Sequence, residues 1–234
     1  MNILITGHSR GLGAALARRA LARGDEVYGL SRSAYAAPSA ALHEVRCDLA
    51  RLDSIAAALA TLLPDDIALD AAWLNAGILG RIAELRDTAL GEIANAMDIN
   101  VWANKLIIDR LAARRVVPAR IVLVSSGAGV VGNHGWGAYA LSKAALNMLA
   151  QLYAHELPDT QILALAPGLI DTDMQAMLRE VDAARFPSVQ RLHAAHGSAD
   201  MPTAEVVAAR IEAAAATLAT LPSGSFVDLR KLPR

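Results

Sequence analysis

Ser126, Tyr139 and Lys143 are the residue types that could move a proton between a side chain and a carbonyl oxygen. Tyr139 and Lys143 lie four residues apart, so on one helix they share a face. A phenol with an ordinary pKa of about 10 is a poor acid–base group at neutral pH. An ammonium one turn away favours the phenolate and draws that pKa towards the working range. Ser126 precedes Tyr139 by thirteen residues and falls at the expected end of a strand, where its hydroxyl could bind the carbonyl oxygen. Singly these features are common. Jointly, in this order and in these elements, they point to acid–base chemistry on a carbonyl/alcohol pair.

The start of the chain offers a place for the redox partner of such chemistry. Gly7, Gly11 and Gly13 fall in Thr6-Gly7-His8-Ser9-Arg10-Gly11-Leu12-Gly13, between a predicted first strand and a predicted first helix. Their G-x-x-x-G-x-G spacing is a variant of the dinucleotide fingerprint and not a match to it. Its physical use is the same: close backbone approach to a pyrophosphate, and a helix N-terminus whose free N–H groups attract anions. Taken alone, the glycines also fit a βα turn with no ligand. The second strand ends Leu30-Ser31-Arg32-Ser33, with no acid to bond a ribose 2′-OH. Arg32, Arg10 and the Ser31 hydroxyl together suit a phosphate monoester, so NADP(H) is expected over NAD(H). Asp48 reads either as an acceptor for the adenine amino group or as the N-cap of the helix that follows. In Asn75-Ala76-Gly77, Gly77 permits close backbone approach, while Asn75 is a cofactor contact or a turn residue.

The elements that must hold these groups alternate along the chain. Short β-rich runs at Asn2–Thr6, Glu26–Ser31, His43–Cys47, Leu69–Asn75, Arg120–Ser125 and Gln161–Ala166 read as strands. Helical spacing marks Leu12–Ala22, Leu52–Leu63, about Leu90 to Arg115, Ala138–Glu156 and the alanine-rich Ala208–Ala219. Continuously apolar strands alternating with helices imply an α/β fold: one doubly wound parallel sheet of about seven strands, covered on both faces. The whole chain, 1–234, reads as a single domain. The polar segment Asp171–Pro202 breaks the alternation and lies where a substrate lid would sit.

Composition narrows the rest. With 234 residues, 54% hydrophobic and net charge −1, the chain can bury a large core and offers no footprint for nucleic acid or an anionic membrane. The single cysteine, Cys47, suits a reducing compartment. No apolar run reaches the roughly 20 residues that span a bilayer. A soluble, cytoplasmic protein with a small-molecule partner and no metal is expected.

These pieces resemble the short-chain dehydrogenase/reductase family over essentially the whole chain. The matching parts are TGHSRGLG, Asp48-Leu49, Asn75-Ala76-Gly77, Asn100, Ser126, Tyr139-x-x-x-Lys143 and Pro167-Gly168-x-x-x-Thr172. The resemblance implies that Tyr139 is the general acid in reduction, that Lys143 lowers its pKa and binds the nicotinamide ribose, and that Ser126 orients the carbonyl. It also implies that Asn100 kinks its helix and holds a water in a relay to Lys143. Ile170 and Thr172 would meet the nicotinamide carboxamide, and Ser9, Leu12, Leu49, Ala76 and Pro167 would line the cofactor site.

Within the family, Gly135-Trp136-x-x-Tyr139, the stretch Ala166–Gln175 and the tail Ser223–Asp228 are similar to sepiapterin and benzil reductases. That likeness implies NADPH-dependent reduction of a cyclic or aromatic ketone or diketone. Asp228 would either anchor an amino-pyrimidinone edge or merely end the last strand. Trp136 would lie at the substrate mouth or pack under the lid, and Met174, with Met177 and Leu178, would give the lid an apolar face. The alternatives are an NAD-linked alcohol dehydrogenase and a catalytically silent NADP(H) sensor. Ile107, Leu111, Leu149 and Leu152 are expected on the outside of two long helices, where they would support a homodimer or homotetramer.

Overall fold

Strands that are apolar on both faces need helices on both sides, and the chain supplies them. In the computed structural model of the protein, which describes residues 1–233 and all their side chains except that of residue 176, seven parallel strands form one sheet. They are β1 (Asn2–Thr6), β2 (Glu26–Ser31), β3 (Leu42–Arg46), β4 (Ala71–Leu74), β5 (Arg120–Val124), β6 (Gln161–Ala166) and β7 (Phe226–Asp228), in the order β3-β2-β1-β4-β5-β6-β7. The order reverses between β1 and β4, so a crevice opens at their carboxyl ends, the place where such sheets take ligands.

The pleat divides the core. Leu4, Leu30, Leu74, Ile121 and Leu123 point towards α2 (Leu52–Leu62), α4 (Ala103–Ala112) and α5 (Gly137–Glu156), where they meet Ile55, Ile107, Ile108 and Leu146. Ile3, Ile5, Val122 and Leu163 point the other way, onto α1 (Gly11–Ala22) and α8 (Ala204–Ala213). Between α3 (Leu90–Met97) and α4 the backbone widens into a π-helical turn, Asp98–Trp102.

The lid segment gains detail, and two expectations need correction. The polar stretch after β6 carries two helices, α6 (Asp173–Arg179) and α7 (Pro187–Ala195), which pack Leu178, Leu192, Ala195 and Met201 into a small separate core. The alanine-rich run is broken, with α8 followed by a short α9 (Ala215–Ala219). Ile107, Leu111 and Leu149 are buried within the single chain and are not outward-facing; Leu152, with Leu141, Met148 and Trp102, is exposed.

The glycine turn is closed by backbone packing. Gly7 and Gly11 adopt φ of +69° and +54°, and a Cβ on Gly13 would stand 2.2 Å from the Gly7 carbonyl oxygen. The neighbour is main chain and cannot yield. Gly13→Ala is expected to lower nucleotide affinity by at least about tenfold and to reduce thermal stability. Wild-type affinity in that variant, read by titration of the folded protein, would show that the turn has room to spare.

Candidate active site

The reactive side chains converge because β5 and α5 lie side by side. Ser126 sits two residues beyond β5 and its Oγ accepts the Ala128 N–H at 3.2 Å. Tyr139 and Lys143 occupy the first two turns of α5. Lys143 is 4% exposed and its Nζ donates to the Val124 carbonyl at 2.7 Å, the last residue of β5. The same ammonium lies 5.6 Å from the centroid of the Tyr139 ring.

Burial governs both titrations. It pushes the Tyr139 phenol above its ordinary value, an effect partly opposed by the hydrogen bond with Ser126. It pulls Lys143 down to about 8. Below that pH Lys143 is mainly charged, and the phenol remains protonated, the form a proton donor requires.

Asn100 stands where the π turn aims it. Its Oδ1 accepts the Ile78 N–H at 2.8 Å, and its Nδ2 donates to the Ile78 carbonyl and to Ser142 Oγ, both at 2.9 Å. The carbonyl of Asn100 accepts from Asn104 Nδ2 at 2.7 Å. A Cβ on Gly77 would lie 2.9 Å from Asn100 Oδ1 and 3.5 Å from Lys143 Nζ, so Gly77 keeps open the space between those two groups.

Around the glycine turn the roles divide. Asn75 spends its amide on the turn, donating to the carbonyls of Thr6 at 3.1 Å and Gly7 at 3.4 Å, while Ala76 N–H donates to Thr6 Oγ1 at 3.0 Å. The turn-residue reading of Asn75 is the one these bonds carry. Asp48 is not the helix N-cap; Arg51 holds that position, and Asp48 accepts the Ala50 N–H at 3.1 Å. Leu12 and Leu49 are buried, their side chains in the cores on the two faces of the sheet. The N-cap residue of α1, Arg10, makes no side-chain cap, so the first N–H groups of a twelve-residue helix are available to an anion.

At the adenosine corner Arg32 is exposed and the Ser31 hydroxyl donates to the Ser33 carbonyl at 2.5 Å. Arg10 reaches across to Asp173 at 3.3 Å, linking the turn to the first residue of α6. Arg46, level with Ser31 in the β2–β3 register, adds a guanidinium that sequence reading missed; its place at the end of the neighbouring strand was the available signal. The donor set and the tight turn fit a dinucleotide phosphate.

The loop after β6 closes the other end. Gly168 has φ of +90°, Ile170 is buried, and a Cβ on Gly11 would lie 3.4 Å from Thr172 Cγ2, so Thr172 rests on the glycine turn. Met174 packs with Trp136, Tyr139 and Leu169 against the lid core, with Leu178 inside it and Met177 exposed. The Trp136 ring is tilted at 6.0 Å from that of Tyr139, and its Nε1 donates to Ser188 Oγ in α7 at 2.8 Å. Trp136 thus packs under the lid and beside the Tyr139 ring, and the lid-packing reading is the one these contacts carry. Ser188 was not anticipated from sequence. Asp228 is committed to Arg230: Oδ1 accepts from its N–H at 3.1 Å and its Nε at 2.9 Å, and Oδ2 from Nη2 at 2.7 Å. That pairing holds the Asp228 carboxyl below the usual carboxylate range.

A proton donor at the carboxyl ends of a doubly wound sheet, beside a dinucleotide turn, defines an oxidoreductase of CH–OH/C=O groups. Residues 1–183 match the family model described as short chain dehydrogenase, and the chain belongs to that family, whose members use nicotinamide cofactors. It is 29% identical over 217 residues to the benzil reductase ((S)-benzoin forming) of Bacillus subtilis, covering 88% of this chain and 89% of that protein. It is 33% identical over 128 residues to the sepiapterin reductase of Bos taurus, covering 50% of this chain and 47% of the other. Among solved structures, that of the KRED1-Pglu enzyme overlays with a TM-score of 0.84 at 27% identity, covering 97% of this chain and 99% of that one. The resemblance read from sequence is borne out in both its broad and its narrower form. Among the described residues, no helix is long and apolar enough to cross a membrane and no metal-binding cluster occurs.

The Lys143 ammonium is held at a cost that pH should reveal. Its folded-state pKa of about 8 lies below the usual 10.5, so between those values the unfolded chain binds more protons and wild-type stability rises with pH. Lys143→Met is therefore expected to match or exceed the wild type in stability at pH 7. That difference should shift by up to about 3 kcal/mol in favour of the wild type as pH rises towards 10. Denaturant melts at several pH values check this; a difference independent of pH would mean the lysine is solvated. At the lid, Ser188→Ala is expected to speed tryptic cleavage at Arg185 and Arg191 by about three- to tenfold. Unchanged cleavage would show that the Trp136 bond does not restrain α7.

Proposed function

We propose that the protein is an NADPH-dependent carbonyl reductase of small cyclic or aromatic ketones or vicinal diketones. The observation that carries this reading is the Ser126–Tyr139–Lys143 set held beside a dinucleotide turn whose adenosine end carries arginines and no acid where β2 closes. NADPH, when bound, supplies the hydride that reaches the carbonyl carbon.

The chain's own residues account for the rest. Ser126 donates a hydrogen bond to the substrate oxygen and fixes its direction. Tyr139 Oη gives its proton to that oxygen as negative charge develops there, completing the alcohol. Lys143, charged below about pH 8, stabilises the phenolate left behind. Asn100 and the space kept by Gly77 provide the route by which a water restores the proton. At the cofactor, α1 and the turn Gly7–Gly13 would receive the pyrophosphate; Arg32 and Arg10 would receive the 2′-phosphate, and Ser31 would join them once its hydroxyl leaves the Ser33 carbonyl. Ile170 and Thr172 border the nicotinamide, with Pro167 and Gly168 shaping the loop.

Trp136 and Met174 form an apolar wall suited to a flat ring. Asp228 contributes to substrate binding only where Arg230 swings away, because a paired hydrogen bond to an amino-pyrimidinone needs both carboxylate oxygens. The exposed Leu141, Met148 and Leu152 on α5, with Trp102, form the face through which a homodimer or homotetramer assembles.

Turnover of benzil or sepiapterin, followed by loss of NADPH absorbance, with NADH much slower, is the expected result. Tyr139→Phe should abolish reduction while leaving NADPH affinity nearly intact; retained turnover would remove Tyr139 as the acid. Arg32→Asp should weaken NADPH far more than NADH. Equal losses would mean that Arg32 does not read the 2′-phosphate.

A further inference from the structure

One buried histidine has no part in this chemistry. His8 lies inside the glycine turn yet is 1% exposed, its ring directed into the protein. It lies over β2, where Gly29 leaves a gap: a Cβ at that position would stand 2.5 Å from the ring. Its Nε2 donates to Glu44 Oε2 at 2.8 Å, across the sheet on β3. The same carboxylate oxygen accepts the Tyr35 backbone N–H at 2.9 Å. Tyr35 belongs to the connection that follows Arg32, and its buried ring lies 6.3 Å from that of His8. Partial burial would raise the Glu44 carboxyl, and the bonds from His8 and Tyr35 more than offset it, so the group stays below its ordinary value and accepts both donors as a carboxylate. One side chain therefore ties together the glycine turn, which faces the pyrophosphate, and the segment after β2, which faces the adenosine ribose.

We infer that His8 and Glu44 form a strut that sets the separation of these two segments, and that they are positioning residues for the adenosine phosphate end of the cofactor. The inference rests on the NADPH reading above. Neither side chain needs to touch the cofactor. His8 fixes where the turn sits on β2, and Glu44 transmits that position to the backbone of Tyr35 and so to Arg32 and Ser33. Three residues make the device possible together: a histidine in the turn, an acid on β3 and a glycine in the middle of β2. A larger residue at 29 would expel the ring.

The test measures dissociation constants for NADPH and NADH on the full-length protein, together with kcat at saturating cofactor. Glu44→Ala is expected to weaken NADPH binding about tenfold, with NADH less affected and kcat within about twofold of the wild type. Glu44→Gln keeps an oxygen for both donors and should stay within about threefold of wild-type affinity. His8→Ala/Gly29→Ala refills the space left by the ring and provides a folded variant; it should behave as Glu44→Ala does. Unchanged affinity in Glu44→Ala and in the double variant would overturn the strut. Equal damage in the alanine and glutamine variants, with kcat and melting temperature falling alike, would overturn it too. Wild-type preference for NADH would sink the NADPH reading instead; the strut would then be judged on NADH affinity across the same variants.

Discussion

A lysine ammonium buried at the end of β5 is the constraint around which the site is arranged. Lys143 is withdrawn from bulk water, and the Val124 carbonyl takes one of its N–H donors. That single bond ties the register of α5 to the end of β5, and with it the position of Tyr139 relative to Ser126. It also explains why neighbouring elements are unusual. Gly77 lacks a side chain on the side facing the ammonium, and the helix opposite is widened so that Asn100 can reach the backbone of Ile78. The burial that lowers the affinity of Lys143 for its proton also raises the Tyr139 phenol, so the fall in the phenol's pKa expected from its lysine neighbour is not what this structure shows. Stability is spent here where reactivity is needed.

The cofactor half of the molecule relies on close packing more than on charge. The glycine turn sits against Asn75 and the Gly7 carbonyl at distances that leave no room for a side chain, and Thr172 covers it from the loop after β6. Charge appears only at the ends: helix N–H groups at one, and Arg10, Arg32 and Arg46 at the other. The two halves meet through the lid, where Asp173 pairs with Arg10 and Ser188 with Trp136. The glycine turn and Trp136 are therefore both tied to the lid, the first through α6 and the second through α7.

The parts legible in the sequence were those with strong periodicity or fixed spacing. Five of the six strands were readable because they are largely apolar on both faces, the edge strand β3 only from its place in the alternation, and the reactive set because its members must share one strand end and one helix face. The lid helices were hidden by polar composition and two prolines; their small core of Leu178, Leu192 and Met201 forms only when α6 and α7 fold on each other. Ile107, Leu111 and Leu149 were placed outside because a long helix packed between sheet and neighbouring helices buries more than one stripe. His8 passed unnoticed since a histidine in a polar loop ordinarily faces water. The glycine in the middle of β2, which weakens a strand unless another group fills its space, was the sign. Arg230, two residues beyond Asp228, gave no signal that it would occupy the carboxylate.

The π-helical turn at Asp98–Trp102 has a consequence for how the gene can vary. A widened turn is one residue more than a regular helix needs, and here that residue rotates Asn100 towards Ile78 and Ser142 while Asn104 accepts the duty of bonding its displaced carbonyl. Losing a single codon anywhere in this stretch would restore an ordinary helix of nearly the same composition and hydropathy. The flanking helices would keep their faces, because the widened turn is what absorbs the extra residue, and only the amide would leave the site. Length, more than residue identity, is the inherited property under restraint in this segment.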